Sequence, residues 1–145
     1  MADCAFCRIV TAEADASSAA AEVVYADDVC VGFLDHRPLF VGHTLLVPRT
    51  HVVTYADLPA ERVQPFFAAG QRLSRAVQSA MASDGSLVLM NNVVSQSVPH
   101  LHLHVIPRRF KDGLRFWLGP RVRYGGERPT MAETGAAIRA ALAAS

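Results

Sequence analysis

The chain has 145 residues, 51% hydrophobic and 19% charged, which is enough apolar material for one globular core and too much for a disordered segment. A formal net charge of +1 excludes a general electrostatic pull toward nucleic acid or a membrane surface. No apolar run approaches the ~20 residues of a membrane span, and Met1 to Thr11 lacks the basic start and apolar run of a secretory signal, so a cytoplasmic protein is expected.

Residues 4–10, Cys4-Ala5-Phe6-Cys7-Arg8-Ile9-Val10, form a short apolar segment carrying C-x-x-C. In an unexported protein such cysteines are thiols or metal ligands rather than disulfides. The pair alone fits a redox site, half of a metal site or coincidence. A thioredoxin-like pair follows a strand, and a metal needs two further ligands. Residues 11–22, rich in alanine and serine, read as a surface loop or a frayed helix.

Val23-Val24-Tyr25 and Val29 to Leu34 read as two strands around a turn at Asp27-Asp28. Val41 to Pro48 is the third strand. Asp35, at a strand end, either begins a turn or offers a carboxylate to ribose hydroxyls. Residues 57–82 are the main helix, with Asp57 as cap, Pro59 in its first turn, and Val63, Phe66, Phe67, Leu73, Val77 and Met81 as the buried stripe. Pro65 predicts a restart or kink. Leu87 to Asn91 is a fourth strand, and Asn92 to Val98 is a polar connection. Cys30 has no obvious partner and reads as a small buried hydrophobe.

The run Val98-Pro99-His100-Leu101-His102-Leu103-His104-Val105-Ile106-Pro107 alternates strictly, as a half-buried strand does. At about 3.3 Å per residue, His100, His102 and His104 would line one face, and Leu101, Leu103 and Val105 the other. Pro99 and Pro107 would bracket the strand, which pairs with the fourth as a hairpin. Residues 108–129 lack periodicity and hold Trp117. From Arg108 to Arg128 there are seven basic and two acidic residues, either a solvated tail or a basic rim for an anionic substrate. Thr130-Met131-Ala132-Glu133 is a capping-box pattern opening a last helix through Leu142. The expected fold is α+β: one domain over 1–145, with an antiparallel meander sheet of about five strands, the main helix packed on it and a short C-terminal helix. Its core covers about 4–109, and 110–145 is a basic tail plus helix.

Three imidazoles on one face suit either of two chemistries. His-x-His on a strand can hold a catalytic metal. Alternatively, a neutral imidazole is nucleophilic near pH 7 if one ring nitrogen is free and the other is held by an acceptor. Flanking imidazoles and hydroxyls, with Gln96 and Ser97 just before the strand, can then donate to phosphate oxygens. No G-x-x-x-x-G-K-[ST] loop exists, so a phosphate site must be built from this strand.

The segment Gln96-Ser97-Val98-Pro99-His100-Leu101-His102-Leu103-His104-Val105-Ile106-Pro107-Arg108 resembles the signature of the histidine triad family. Cys4 to Val10 is similar to that family's bacterial N-terminus. Phe33-Leu34-Asp35 with Pro38, then Gly42 to His51, resembles its central block. The resemblance implies a nucleotidyl hydrolase or transferase acting at the α-phosphate of a nucleotide conjugate, such as a nucleoside phosphoramidate or a dinucleoside polyphosphate. It implies His102 as nucleophile, with His104 and His43 contacting phosphate or orienting the site, Ser97 near the leaving group and Gln96 near the phosphates. Asp35 would bind ribose, Phe6, Ile9, Phe33, His36 and Leu45 would wall the pocket of a purine base, and Asn91 would line the phosphate side. It further implies a structural zinc on Cys4, Cys7, His51 and His100, no organic cofactor, and a homodimer through the main helix and neighbouring strand. No nucleic-acid or membrane partner is expected. Two other readings use the same residues: a nucleotide-binding regulatory module with little catalysis, and a metalloenzyme with catalytic metal on the triad.

Overall fold

Alternation on short strands sets the architecture of this computed structural model, which describes residues 4–14, 21–115 and 122–144. These belong to two units, Met1–Asp112 and Gly113–Ser145. The first unit contains α1 (Ala5–Ala14), β1 (Val23–Ala26), β2 (Cys30–Leu34), β3 (Thr44–Pro48), a 3-10 turn (Tyr55–Asp57), α2 (Ala60–Ala80), β4 (Gly85–Leu89) and β5 (Leu103–Arg108). The second contains α3 (Met131–Ala143), whose N-cap Thr130 and Glu133 form the expected capping box.

All strand pairs are antiparallel and the order is β1-β2-β3-β5-β4, an α+β fold as expected. The first three strands are a meander. The chain then crosses through α2 to the far edge, so β5 comes to lie inside the sheet between β3 and β4. Asp27 Oδ1 accepts from the Val29 and Cys30 amides, both at 2.8 Å, and so closes the first turn.

Successive side chains face opposite layers. Leu46, Leu101, Leu103 and Val105 join Phe66, Ala69, Leu73 and Val77 of α2 in one buried cluster, which includes Cys30 as a small hydrophobe. Val31, Phe33, Leu45 and Val47 join Phe6 of α1 in the other. Each fully buried side chain of the size of Phe66 or Leu46 contributes about 1.5–3 kcal/mol relative to exposure. Gly70 lets α2 close onto the sheet, since a Cβ there would stand 2.7 Å from Leu103 Cδ2.

Several expectations are corrected. Cys4-x-x-Cys7 opens a helix, because Phe6, Ile9 and Val10 recur at helical spacing and pack on the sheet. Residues 15–20 of the alanine-rich segment, and Arg121 and Trp117 of the tail, lie outside the described residues. The third strand starts at Thr44 rather than Val41: Gly42 adopts φ +94°, and the His43 amide donates to Phe40 O at 3.0 Å in a turn. The fourth strand covers Gly85–Leu89 and leaves Asn91 outside. Asp57 caps the 3-10 turn, accepting from the Thr54 amide at 3.0 Å, and Pro59 is the N-cap of α2. Pro65 causes no restart, and α2 runs from Ala60 through Ala80. Its missing N–H falls near the N-terminus, where only one intrahelical bond is lost.

The fifth strand starts at Leu103, so His100 and His102 precede it, and Pro107 lies within it opposite Ser86. The β3 ladder has already ended at Val105, so Pro107 withholds no N–H from it. Among the described residues no helix is long and apolar enough to cross a membrane.

Candidate active site and metal centre

Two groups of chemical side chains meet on the α1 side of the sheet, and both draw on the histidine run. The first lines a cleft of about 640 Å³, within the usual range for small-molecule sites. Its walls include Phe6, Ile9, Phe33, Asp35, His36, Leu45, Ser97, His102 and His104. Nine residues expected from the sequence at a nucleotide site are therefore assembled around one space. Phe33 and Leu45 reach it from β2 and β3, directly across from each other in register. Leu45 is in turn opposite His104 of β5.

His102 is 2% exposed, and its Nδ1–H donates to the carbonyl of His100 at 2.7 Å. An acceptor at Nδ1 leaves Nε2 with a free lone pair in the neutral ring. Phe6 packs edge-on against this imidazole, with ring centroids 5.2 Å apart, and against Phe33 at 5.3 Å. The His104 ring follows at 4.8 Å from His102. Its Nδ1 lies 2.9 Å from Nε2 of His43. Its own Nε2 is buried and, among the described residues, has no hydrogen-bond partner. An orphaned buried ring nitrogen in a cleft is a costly feature unless a ligand satisfies it.

Burial, reinforced by the neighbouring His102 and His43, pushes the His104 pKa down to about 4. Burial also lowers that of His43, against the pull of Asp35. Both rings are therefore neutral near pH 7. The unfolded chain takes up the His104 proton near the ordinary 6.5, the folded protein only near 4. Between those values the unfolded state binds more protons, so stability falls as pH drops. The urea midpoint is expected to decrease from pH 7 to pH 5, and the decrease should be smaller in His104→Gln. An equal decrease in both proteins would contradict the assignment.

Asp35 sits at the end of β2 with Oδ1 accepting from the Arg37 amide at 2.9 Å, and Oδ2 3.7 Å from His43 Nδ1. His36 is on the rim, its side chain 85% exposed. Gln96 and Asn91 do not line the cleft. Gln96 Nε2 donates to Val53 O at 2.6 Å and its Oε1 accepts from the Val93 amide at 3.0 Å, so this side chain folds the 93–96 turn against residue 53. The rim cation is Arg8, on the exposed side of α1, which the sequence pattern did not single out. Arg108 instead pairs with Asp112, and Arg109 bonds the Met81 and Ala82 carbonyls.

The second group is Cys4, Cys7, His51 and His100, whose ligand atoms all lie within 4.8 Å of one another. Nδ1 of His100 is 3.5 Å from Cys4 Sγ and 3.6 Å from Cys7 Sγ, and Nδ1 of His51 is 3.2 Å from Cys7 Sγ. A tetrahedral zinc with ordinary bond lengths separates its sulfur and nitrogen ligands by about 3.6 Å. Nε2 of His100 donates to the Pro48 carbonyl at 2.9 Å, which turns the Nδ1 lone pair toward the cysteines, as an outer hydrogen bond does for a metal-binding imidazole. The donor set and its spacing fit zinc. Asp35, His43 and His104 also cluster, but the 2.9 Å between the two rings is a hydrogen-bond length. Two nitrogens on one tetrahedral ion would be about 3.3 Å apart.

The two groups share structure. His100 offers its ring to the cysteine cluster and its carbonyl to His102. Phe6 lies between the two cysteines and touches the His102 ring.

Several known proteins are similar to this chain. Residues 16–111 match the HIT domain family. A zinc-bound histidine triad family protein from Mycobacterium smegmatis superposes with a TM-score of 0.70 at 39% identity, covering 98% of this chain and 94% of that one. An adenylylsulfatase of Arabidopsis thaliana is 33% identical over 83% of this chain and 59% of its own length. An adenosine 5'-monophosphoramidase of Saccharomyces cerevisiae is 35% identical over 78% of this chain and 68% of its own length.

Proposed function

The chain belongs to the HIT domain family, and from that premise we propose that it is a nucleotidyl hydrolase or transferase acting at the α-phosphate of a nucleotide conjugate. The observation that carries this reading is the hydrogen bond from His102 Nδ1–H to His100 O, which leaves Nε2 with a free lone pair on a residue that lines the cleft.

His102 Nε2 attacks the α-phosphorus. A P–N bond forms, the bond from phosphorus to the leaving group breaks, and the leaving group departs with the bonding pair and takes up a proton from solvent, which the water of the second step returns. Water, or another acceptor, then attacks the nucleotidyl-histidine, releases the nucleotide and restores the imidazole, so one hard displacement becomes two easier ones. His104 Nε2 contacts a non-bridging phosphate oxygen, where charge is held. His43 orients His104, and Ser97 lies toward the leaving group. Asp35 accepts from ribose hydroxyls, and Phe6, Ile9, Phe33, Leu45 and His36 surround a purine base. Gln96 acts through the shape of the 93–96 turn, since its side chain is engaged with Val53 and Val93.

Cys4, Cys7, His51 and His100 would hold a structural zinc. Bound there, zinc would supply a structural crosslink between the start of α1, the segment after β3 and the segment just before β5 that carries the nucleophile. A homodimer through α2 and β4 is supported by the edge position of β4 and the 45% exposure of Val88 on it.

The names of the two enzymes above suggest two substrates to try, and the family resemblance adds a third. Adenosine phosphoramidate, adenylyl sulfate and diadenosine polyphosphates are expected to release AMP from at least one of the three, measured by chromatography. Tight nucleotide binding with no turnover of any of them would favour a regulatory binding module instead.

A further inference from the structure

The loop between β2 and β3 delivers a backbone donor into the histidine network. The Leu39 N–H donates to His43 Nδ1 at 3.2 Å. A backbone amide can only donate, so His43 Nδ1 must accept. In the neutral ring the proton is then on Nε2, 2.9 Å from His104 Nδ1. That nitrogen must accept in its turn, which leaves the His104 proton on Nε2, the buried atom with no partner among the described residues.

We propose that the backbone amide of Leu39 is the positioning group that fixes His104 as a hydrogen-bond donor toward a phosphate oxygen, through the ordered pair His43–His104. The proposal deepens the hydrolase reading and rests on it for the identity of the acceptor. The consequence is a site with opposite polarities on adjacent rings: His102 offers a lone pair, and His104, 4.8 Å away, offers N–H. The reverse tautomer of His104 would turn a lone pair toward phosphate and repel it. Asp35 is the competitor for control. Its Oδ2 stands 3.7 Å from His43 Nδ1 and would draw a proton there, and the Leu39 N–H occupies that lone pair.

The loop is built to hold the amide still. The Asp35 N–H donates to His43 O at 2.9 Å, Asp35 Oδ1 accepts from Arg37, and the His43 N–H donates to Phe40 O. Gly42, at φ +94°, closes the turn against Met81, where a Cβ would stand 2.5 Å from Cγ. Leu39 is 57% exposed, and the contact it makes with the histidine pair is through its main chain.

The test is histidine-labelled protein in a long-range nitrogen–proton correlation experiment at pH 7, read alongside kcat and KM. The native protein is expected to carry the His104 proton on Nε2, and Leu39→Ala, which retains the N–H, to keep that tautomer. Replacing leucine 39 by its α-hydroxy acid substitutes an ester oxygen for the N–H and should mix the His104 tautomers, lowering kcat roughly tenfold or more with a smaller change in KM. Leu39→Pro removes the same donor by ordinary mutagenesis, and its fold is checked by the unchanged backbone spectrum of β1 and α2. A His104 proton on Nδ1 in the native protein, or an ester variant with native tautomer and native kcat, overturns the proposal. The expected tautomer in a protein that turns over no nucleotide conjugate supports the proposal while removing the hydrolase reading.

Discussion

Replacing His102 by alanine is expected to lower kcat on the best nucleotide conjugate by roughly 10⁴-fold or more, the scale seen when a covalent nucleophile is removed. Mononucleotide should still bind, because the base and ribose contacts proposed for Phe6, Phe33, Leu45 and Asp35 are untouched. The ring is nearly fully buried, and its loss leaves the His100 carbonyl without a donor, a cost of about 1–3 kcal/mol. His102→Asn restores an N–H donor near that carbonyl without a nucleophile, so its turnover should be equally low while its stability lies closer to native. Turnover within a few-fold of native in either folded variant would contradict the proposed step.

Cys4→Ser or Cys7→Ser is expected to abolish zinc binding and lower the melting temperature by about 10 °C or more, since binding to a closed site contributes directly to folding. The effect should extend to the nucleotide cleft. Phe6 lies between the two cysteines in sequence, and its ring packs on both His102 and Phe33. Loosening the start of α1 removes a wall of the cleft, so nucleotide affinity should fall along with the metal. His102→Ala should keep its zinc by elemental analysis. Loss of the ion in His102→Ala, with retention in Cys4→Ser, would instead favour catalytic metal on the triad.

Much of this was legible because the side chains that carry chemistry are polar residues in an apolar, alternating setting. His102 and His104 stand out from Leu101, Leu103 and Val105 by period alone, and the two buried clusters follow that alternation. The alternation did not reveal where the ladder begins. His100 is strand-like in pattern, but its amide donates to Val98 O in a turn and its ring is taken by the cysteine cluster. Helix α1 was hidden because a single turn-spaced set, Phe6, Ile9 and Val10, is short, and the alanine-rich stretch beyond it carries no period. Gln96 shows the other limit. Its adjacency to the histidine run suggests phosphate contact, yet its amide closes a turn onto Val53, a partner 43 residues away. The role of Leu39 has no side-chain signature at all, since an exposed leucine acts here through its main chain.

The central claim is the covalent bond to His102, and rapid chemical quench followed by peptide mass spectrometry tests it most directly. Native protein mixed with a turning-over adenylyl conjugate should yield an acid-labile, base-stable adduct of the mass of AMP less one water on the peptide containing residues 100–104, localised to His102 and absent from His102→Ala. Steady turnover with no adduct on any histidine, or with the adduct on His104, would contradict the account.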